Sequence, residues 1–317
     1  MRMSVDSTRI ELAAPAPRES ASFEAVPQTN AFLRWKRLLL SSKTGTAGFV
    51  ILIIVMLTAV LAPTLAPHDP SVMNARNTLA PPFWMEGGTM EHPLGTDNLG
   101  RDMLSRIVYG SRISLLVSVA AVLIAGVIGI FLGVVCGYYG GRWFDALVMR
   151  VVDAKTAVPG ILLMLVVIGV FGTSVTTLIL VIGFTEWTAY TRLIRGEVLS
   201  LKQRDYVRAA RSIGTRDRTI MFRHILPNIA SLCIVVSTLT VGGNIVLEAS
   251  LSFLGLGIQP PIVSWGYMLN EGRDHIATSW WISTFPGIAI TLTVLAFIFL
   301  GDWLRDVFDP RSQGRRS

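Results

Sequence analysis

The sequence predicts an all-α integral membrane protein with six transmembrane helices, and three observations carry that expectation. The 317 residues are 51% hydrophobic and only 15% charged, with a mean hydropathy of +0.55, a balance that excludes an ordinary soluble domain. The apolar residues gather in runs of about 20, the length that crosses a bilayer as a helix. The basic residues behind the net charge of +7 stand beside those runs. That placement marks cytoplasmic helix ends and not a nucleic-acid surface.

Residues 1–33 are rich in Ala, Pro, Ser and Glu without apolar periodicity and read as a disordered cytoplasmic tail. They lack the charged, apolar and cleavage regions of a signal peptide. Residues 34–66 are the first span, roughly Thr46 to Leu65, with a basic flank of Arg34, Trp35, Lys36, Arg37 and Lys43 that puts the N-terminus in the cytoplasm.

Residues 67–112 are polar, carry Pro67, Pro70, Pro81, Pro82 and Pro93, and form an extracytoplasmic segment. Its second half, HPLGTDNLGRDMLSRIVYGSRISL from His92 to Leu115, has more pattern than a linker requires. Gly95 and Gly100 break the chain, and Asp102 to Tyr109 suits a short amphipathic helix. Two readings stand: an interfacial elbow into the next span, or an external docking or gating surface built on Asp97, Arg101 and Asp102.

Residues 113–304 form a five-helix core. In the second span, roughly Ile113 to Tyr139, Gly129, Gly133 and Gly137 recur every four residues, so another helix can approach that face closely. Gly140 to Trp143 make the inner turn. The third span, roughly Leu147 to Gly172, carries Asp153, Lys155 and Pro159 near its inner end. Lys155 there is open to snorkelling or to a water-filled path, and Pro159 permits a bend. The fourth span, roughly Ser174 to Leu193, is marginal alone. Its apolar residues favour insertion by roughly 3 kcal/mol and the central Glu186 costs about as much, so Glu186 turns toward other helices or a translocation path.

The fifth span, roughly Ile229 to Ala249, holds Gly242, Gly243 and Asn244 at its middle, where a kink or polar lining is expected, and Glu248 at its outer end. Glu186, Asn244 and Glu248 are the candidate path residues. Residues 250–284 form a second extracytoplasmic segment, too apolar for a free loop and read as a re-entrant or interfacial piece. Trp280 and Trp281 mark the outer interface and Trp303 the inner edge of the last span, roughly Phe285 to Leu304. Residues 305–317 are a basic cytoplasmic tail. Of the 28 Lys and Arg, only Arg76, Arg101, Arg106, Arg112 and Arg273 lie in the two outer segments, which supports this orientation.

The cytoplasmic loop 199–227 is the most organised polar stretch. Within it, Asp205 to Pro227 reads DYVRAARSIGTRDRTIMFRHILP. Tyr206, Ala210 and Ile213 lie at i, i+4 and i+7, an apolar stripe on a helix. Gly214 is a helix stop, Asp217 sits at the start of a second short helix, and that helix closes before Pro227. A helix, turn, helix knob follows, with a solvated basic loop as the plainer alternative.

The chemistry that is absent narrows the function. No G-x-x-x-x-G-K occurs, so the chain holds no nucleotide-binding loop, and energy for transport must come from an ion gradient or another protein. No H-E-x-x-H or G-x-S-x-G occurs. The four His lie scattered across loops, and Cys136 and Cys233 sit singly in apolar runs, so neither an enzyme nor a metal centre is expected.

Ala209, Ala210, Gly214, Leu226 and Pro227 stand at the spacing of the EAA loop, and the segment resembles that loop of ABC importer permeases. Arg208 takes the place of the usual Glu and His224 that of the usual Ile. Together with HPLGTDNLGRDMLSRIVYGSRISL and EASLSFLGLGIQPPIVSWGYML, it makes the chain similar to the C-type permease of dipeptide, oligopeptide and nickel importers. The resemblance implies a type I ABC importer-like fold in the cell inner membrane, with both termini cytoplasmic. It implies a coupling helix formed by Asp205, Tyr206, Arg208, Ala209, Ala210, Gly214, Leu226 and Pro227. It further implies a second permease subunit making a heterodimer, two ATPase subunits that bind ATP and Mg, and an extracytoplasmic binding protein. This chain itself would hold no cofactor. Short peptides are the expected cargo, with nickel or another small solute as the variant within the family. The rival from the residues alone is an ion-coupled secondary transporter or channel using Asp153, Lys155 and Glu186. It calls for inverted repeats, which the sequence lacks, and leaves the knob unexplained.

Overall fold

The computed structural model describes residues 42–308, and the expected tail at 1–33, the flank Arg34 to Arg37 and the last residues of the basic tail lie outside that range. Every extended element in it is a helix, and among the described residues there is no strand. The helices are α1 (Lys43–Val60), α2 (Ala62–Leu65), α3 (Met103–Tyr138), α4 (Trp143–Thr156), α5 (Gly160–Phe171) and α6 (Val175–Leu201). After them come α7 (Asp205–Ser212), α8 (Asp217–Thr219), α9 (Leu226–Phe253), α10 (Trp265–Gly272) and α11 (Trp281–Phe308).

Four helical stretches are long and apolar enough to cross a membrane: α1, α3, the run Asp217–Phe253 and α11. The number rises to five if α4 and α5 together make one span, and they are bent by 86°. The bend has a local cause. Val158 precedes Pro159, a position pushed out of helical geometry, and Pro159 is itself extended with ψ 122. The expected third span is therefore two short helices at nearly a right angle. Helix α6 has the length of a span but carries Glu186, Arg192, Arg195, Glu197 and several threonines, so it is not among the strongly apolar helices.

Helix α3 is the axis. The separate elbow expected over Asp102 to Tyr109 is its first two turns, because Asp102 caps the helix by accepting the Ser105 N–H at 2.8 Å and nothing interrupts it for 36 residues. At 1.5 Å per residue it is about 54 Å long, more than a bilayer core.

Along α3 the glycine repeat does what its spacing predicts. A Cβ on Gly129 would lie 2.4 Å from Tyr190 Cβ, one on Gly133 2.7 Å from Ile194 Cβ, and one on Gly137 2.6 Å from Val198 Cβ. All three partners belong to α6. The contact is reciprocal, since a Cβ on Gly183 of α6 would lie 2.8 Å from Ile124 Cβ. Helices α1 and α11 pair in the same manner, with Gly45 against Trp303 and Gly48 against Phe299.

One expectation about the later helices changes. Helix α9 runs unbroken through Gly242, Gly243 and Asn244, with Gly242 lodged near Phe297 of α11. Its irregularity lies at the other end, in a π-helical turn over Ile220–Ile225. Trp281 and Trp303 are buried against the protein: Trp281 donates its indole N–H to the Thr96 carbonyl at 3.0 Å, and Trp303 fills the space over Gly45.

The bundle has polar architecture at both ends of α3. At its start, residues 66–102 and the stretch from Leu254 to Trp280 pack together as a cap over a core of Met103, Trp265, Met268 and Trp281. At its end, the knob 205–225 packs on Tyr138, Ile194 and Val198.

Gly133→Val should force α3 and α6 apart and destabilise the chain by about 1–3 kcal/mol. Thermal unfolding of the purified chain in detergent checks it. Gly169→Ala, with nothing within 4 Å of the added Cβ, should leave the midpoint nearly unchanged.

Candidate functional site

The knob is built by ordinary helix-end chemistry. Asp205 sits in the first turn of α7 and Arg211 in the last, both complementing the helix dipole. Gly214 follows at φ +79, where a side chain would be strained. Its N–H donates to the Arg211 carbonyl at 3.0 Å, and Thr215 N–H donates to the Ala210 carbonyl at 3.1 Å. That pair of bonds is the Schellman closure, so the predicted stop is the observed one. The second helix does not close before Pro227. From Asp217 it continues through the π-helical turn into α9, and Pro227 falls in the first turn of α9, where its missing N–H is tolerated. The Asn228 side chain donates to the His224 carbonyl at 2.5 Å within the widened turn.

The buried side of α7 differs from the predicted stripe. Val207 and Ala210 pack inward with Ile220, Met221 and Ile225. Tyr206 is 43% exposed, Ile213 83% and Phe222 62%, and Asp205, Arg208 and Ala209 are exposed beside them. The spacing that packs is i, i+3, and the remaining apolar side chains form an outward tip. Leu226 is half-buried at the base. Among the described residues Arg208 forms no side-chain hydrogen bond or ion pair.

A polar latch that sequence reasoning missed joins this knob to the end of α3. Tyr138 donates its hydroxyl proton to Asp217 Oδ1 at 2.5 Å, and the Tyr138 hydroxyl oxygen accepts from Arg211 Nη2 at 3.2 Å. The Arg211 guanidinium lies 5.4 Å from the Tyr138 ring centroid, within cation–π range. Lys202 Nζ donates to the Tyr138 carbonyl at 2.6 Å. Burial, and then the neighbouring Arg211 and Arg142, hold the Lys202 ammonium below the usual lysine range. The knob is thus tied to α3 by hydrogen bonds on both sides of its turn, besides its connections to α6 and α9.

Helix α4 is fastened to α6 by charge. Arg195 donates to both oxygens of Asp145, at 2.5 and 2.8 Å, and Asp145 also accepts the Gly141 N–H at 2.9 Å. Arg192 pairs with Asp153 at 3.1 Å. The three path candidates are not brought together. Glu186 is half-buried on α6. Glu248 is enclosed, accepting from Ser252 at 2.8 Å and from Ser114 of α3 at 3.2 Å. Asn244 lies one turn from it on α9, and its buried amide nitrogen is unpartnered.

At the other end of α3, Asp97, Arg101 and Asp102 are buried, Asp97 pairing with Arg101 and Asp102 with His92 and Ser105, so they form the frame of the cap and not an exposed surface. Asp97 accepts the N–H of Leu99 at 2.8 Å and of Arg101 at 2.9 Å, and its other oxygen accepts Arg101 Nε at 2.6 Å and Arg106 Nη1. Glu271 of α10 accepts from the same two arginines, with Arg106 Nη2 at 2.5 Å. Two carboxylates and two guanidiniums therefore close a buried ring between segments 170 residues apart in sequence. Gly100, at φ +72, is required for it: a Cβ there would lie 1.9 Å from the Asn74 carbonyl oxygen. Asp102 accepts from His92 Nδ1 at 3.0 Å, and His68 stands beside them.

Removing one partner of a buried ion pair leaves the others uncompensated, at about 3–5 kcal/mol. Asp97→Asn should therefore lower the thermal midpoint sharply, while Asp153→Asn, at an exposed pair, should shift stability by less than about 1 kcal/mol.

Comparison with known proteins points in one direction. A family described as "Binding-protein-dependent transport system inner membrane component" matches residues 129–314, and the "N-terminal TM domain of oligopeptide transport permease C" matches residues 33–82. The glutathione transport system permease protein GsiD of Pectobacterium atrosepticum is 43% identical over 277 residues, 87% of this chain and 90% of that protein. The di/tripeptide transport system permease protein DppC of Pseudomonas aeruginosa is 40% identical over 270 residues, 85% of this chain and 89% of its own. GsiD of Escherichia coli is 44% identical over 281 residues, 88% and 90% of the two chains.

Proposed function

We infer the function from one premise: the chain belongs to the family of binding-protein-dependent transport system inner membrane components, and it is the permease subunit of an ABC importer, not an enzyme. In our reading it supplies one half of a translocation path for short peptides, the other half coming from a second permease subunit. The knob at 205–227 is the element that seats on an ATPase subunit. ATP and Mg belong to two such partner subunits, since this chain has no phosphate-binding loop. An extracytoplasmic binding protein delivers the cargo.

The observation that carries the coupling proposal is the outward tip of Tyr206, Ile213 and Phe222 on a knob that is otherwise polar and basic. Apolar side chains held out by a well-closed turn suit a partner's cleft. The Tyr138 latch supports the mechanical part: a push on the tip reaches α3, α6 and α9 together, because slack at the turn is removed by the Schellman closure and by Asp217 and Arg211. Closure of the ATPase pair would then tilt these helices as a unit and open the path toward the binding protein. The named substrates of the relatives, glutathione and di/tripeptides, are all short peptides, and that is the cargo class we assign. Of the three path candidates, Glu186 is the one we retain as path-lining; Glu248 holds α3 and α9 together.

The test separates seating from transmission. Ile213→Glu should lower affinity for the ATPase subunits by about 2 kcal/mol, roughly thirtyfold, read as loss of co-purification from the assembled complex. Tyr138→Phe should leave the ATPase bound but reduce peptide transported per ATP hydrolysed in proteoliposomes. Unaltered co-purification and transport in both variants would reject the coupling role. Uptake of a nickel salt in place of peptide by the reconstituted complex would reject the cargo assignment alone.

A further inference from the structure

We propose that His68, His92 and Asp102 form a binding site for one divalent transition-metal cation of the zinc class, which clips the cap onto the start of α3. The four histidines are far apart in sequence, yet the fold brings two of them to one carboxylate. One ligand atom from each of the three residues lies within 4.8 Å of the other two.

The geometry is close to what such an ion needs. A tetrahedral ion with ligands at about 2.0–2.1 Å places its donors about 3.4 Å apart. Here His92 Nδ1 lies 3.0 Å from Asp102 Oδ1 and His68 Nδ1 3.9 Å from the other oxygen, Oδ2, so the two imidazoles face the two oxygens of one carboxylate and an ion between them would draw the three groups together. The two imidazole centroids are 4.9 Å apart and tilted by 42°, so the rings converge without stacking.

His68 Nδ1 is the telling atom. It is buried and has no hydrogen-bond partner, and 3.9 Å from a carboxylate oxygen is too far for a hydrogen bond. Leaving such a nitrogen unsatisfied is costly, and a cation between it and Asp102 would resolve the cost. The backbone around it is already held. His68 N–H donates to Ser105 Oγ at 3.0 Å, and Ser105 Oγ donates to Asp102 Oδ2 at 2.7 Å. His68 is therefore positioned by the carboxylate that would share the ion.

The donor set selects the ion. Two imidazoles and one carboxylate suit zinc and its neighbours, whereas calcium and magnesium require a shell of oxygens. On binding, the His92 proton leaves Nδ1 and the ring carries its proton on Nε2. The Asn77 side-chain amide stands 3.4 Å from Nε2 and can turn its oxygen to accept that proton, the outer-shell support usual for a metal-bound histidine. Three protein ligands leave a fourth position for water on the side where the His68 side chain is 37% exposed.

The physical consequence is a staple. His68 follows α2, His92 lies in the middle of the cap and Asp102 caps α3, so one ion would tie together three segments. This site is independent of the coupling reading.

The test uses the full chain purified in detergent and stripped with a chelator. Equilibrium dialysis against zinc should show one high-affinity ion per chain, and zinc should raise the thermal midpoint. His68→Ala keeps the backbone bond to Ser105 and the Asp102 cap, so it should fold. It should weaken zinc binding by at least the roughly tenfold that even an outer-shell change costs and abolish the thermal shift. His68→Gln, which retains bulk and polarity, should behave the same way. Zinc binding or stabilisation unchanged in both variants, or no saturable binding in the unsubstituted chain, would overturn the proposal.

Discussion

The face of α3 on which Gly129, Gly133 and Gly137 admit α6 is the constraint from which the rest of the bundle follows. With backbones so close, each side chain of α6 opposite a glycine meets α3 main chain, and any shift of one helix along the other produces overlap. Because α6 carries polar and charged groups that a lone helix would not easily bring into lipid, this contact also gives α6 a protein environment. Asp145 and Asp153 of α4 then neutralise Arg195 and Arg192 along its length.

That pair has two ends, and polar chemistry closes each differently. At the cap, charges are fully enclosed and paired in a ring of two carboxylates and two guanidiniums, which joins Asp97 and the start of α3 to α10. Buried pairs of this kind are demanding in geometry, so they select one arrangement of the cap even where they add little net stability. At the knob, the polar contacts are fewer and nearer the surface, centred on one tyrosine hydroxyl. Such contacts hold the knob on α3 while Tyr206, Ile213 and Phe222 stay exposed at its tip. The two ends of α3 are therefore closed unlike: one by enclosed ion pairs, the other by a few hydrogen bonds close to the surface.

Much of this was legible from residue patterns because it depends on local chemistry. The glycine period of four, the stop at Gly214 and the helix start at Asp217 all rest on backbone conformations that few residues supply, so they can be read one position at a time. Where the reading departed from the structure, the competing cause was also specific. Asp102 caps a helix that then fails to stop, merging elbow and span. Val158 and Pro159 turn a permitted bend into a right angle. The packed side of α7 is Val207 with Ala210, since the direction of burial depends on where the π-helical turn of 220–225 places its own side chains.

By itself the sequence determined the all-helical class and the family motifs, because the bilayer limits the backbone to helices or closed barrels and short-range rules govern their ends; where the helices bend or run on was decided by the structure. Tertiary structure alone decided the partners. Nothing in the chain order says that Arg101 and Arg106 meet Glu271, that Tyr138 meets Asp217, or that His68 and His92 converge on Asp102. Those pairings join residues separated by as many as 170 positions, and they exist because α3 is an unbroken 36-residue helix whose two ends collect the segments that the packing of α6, α9 and α10 brings to them.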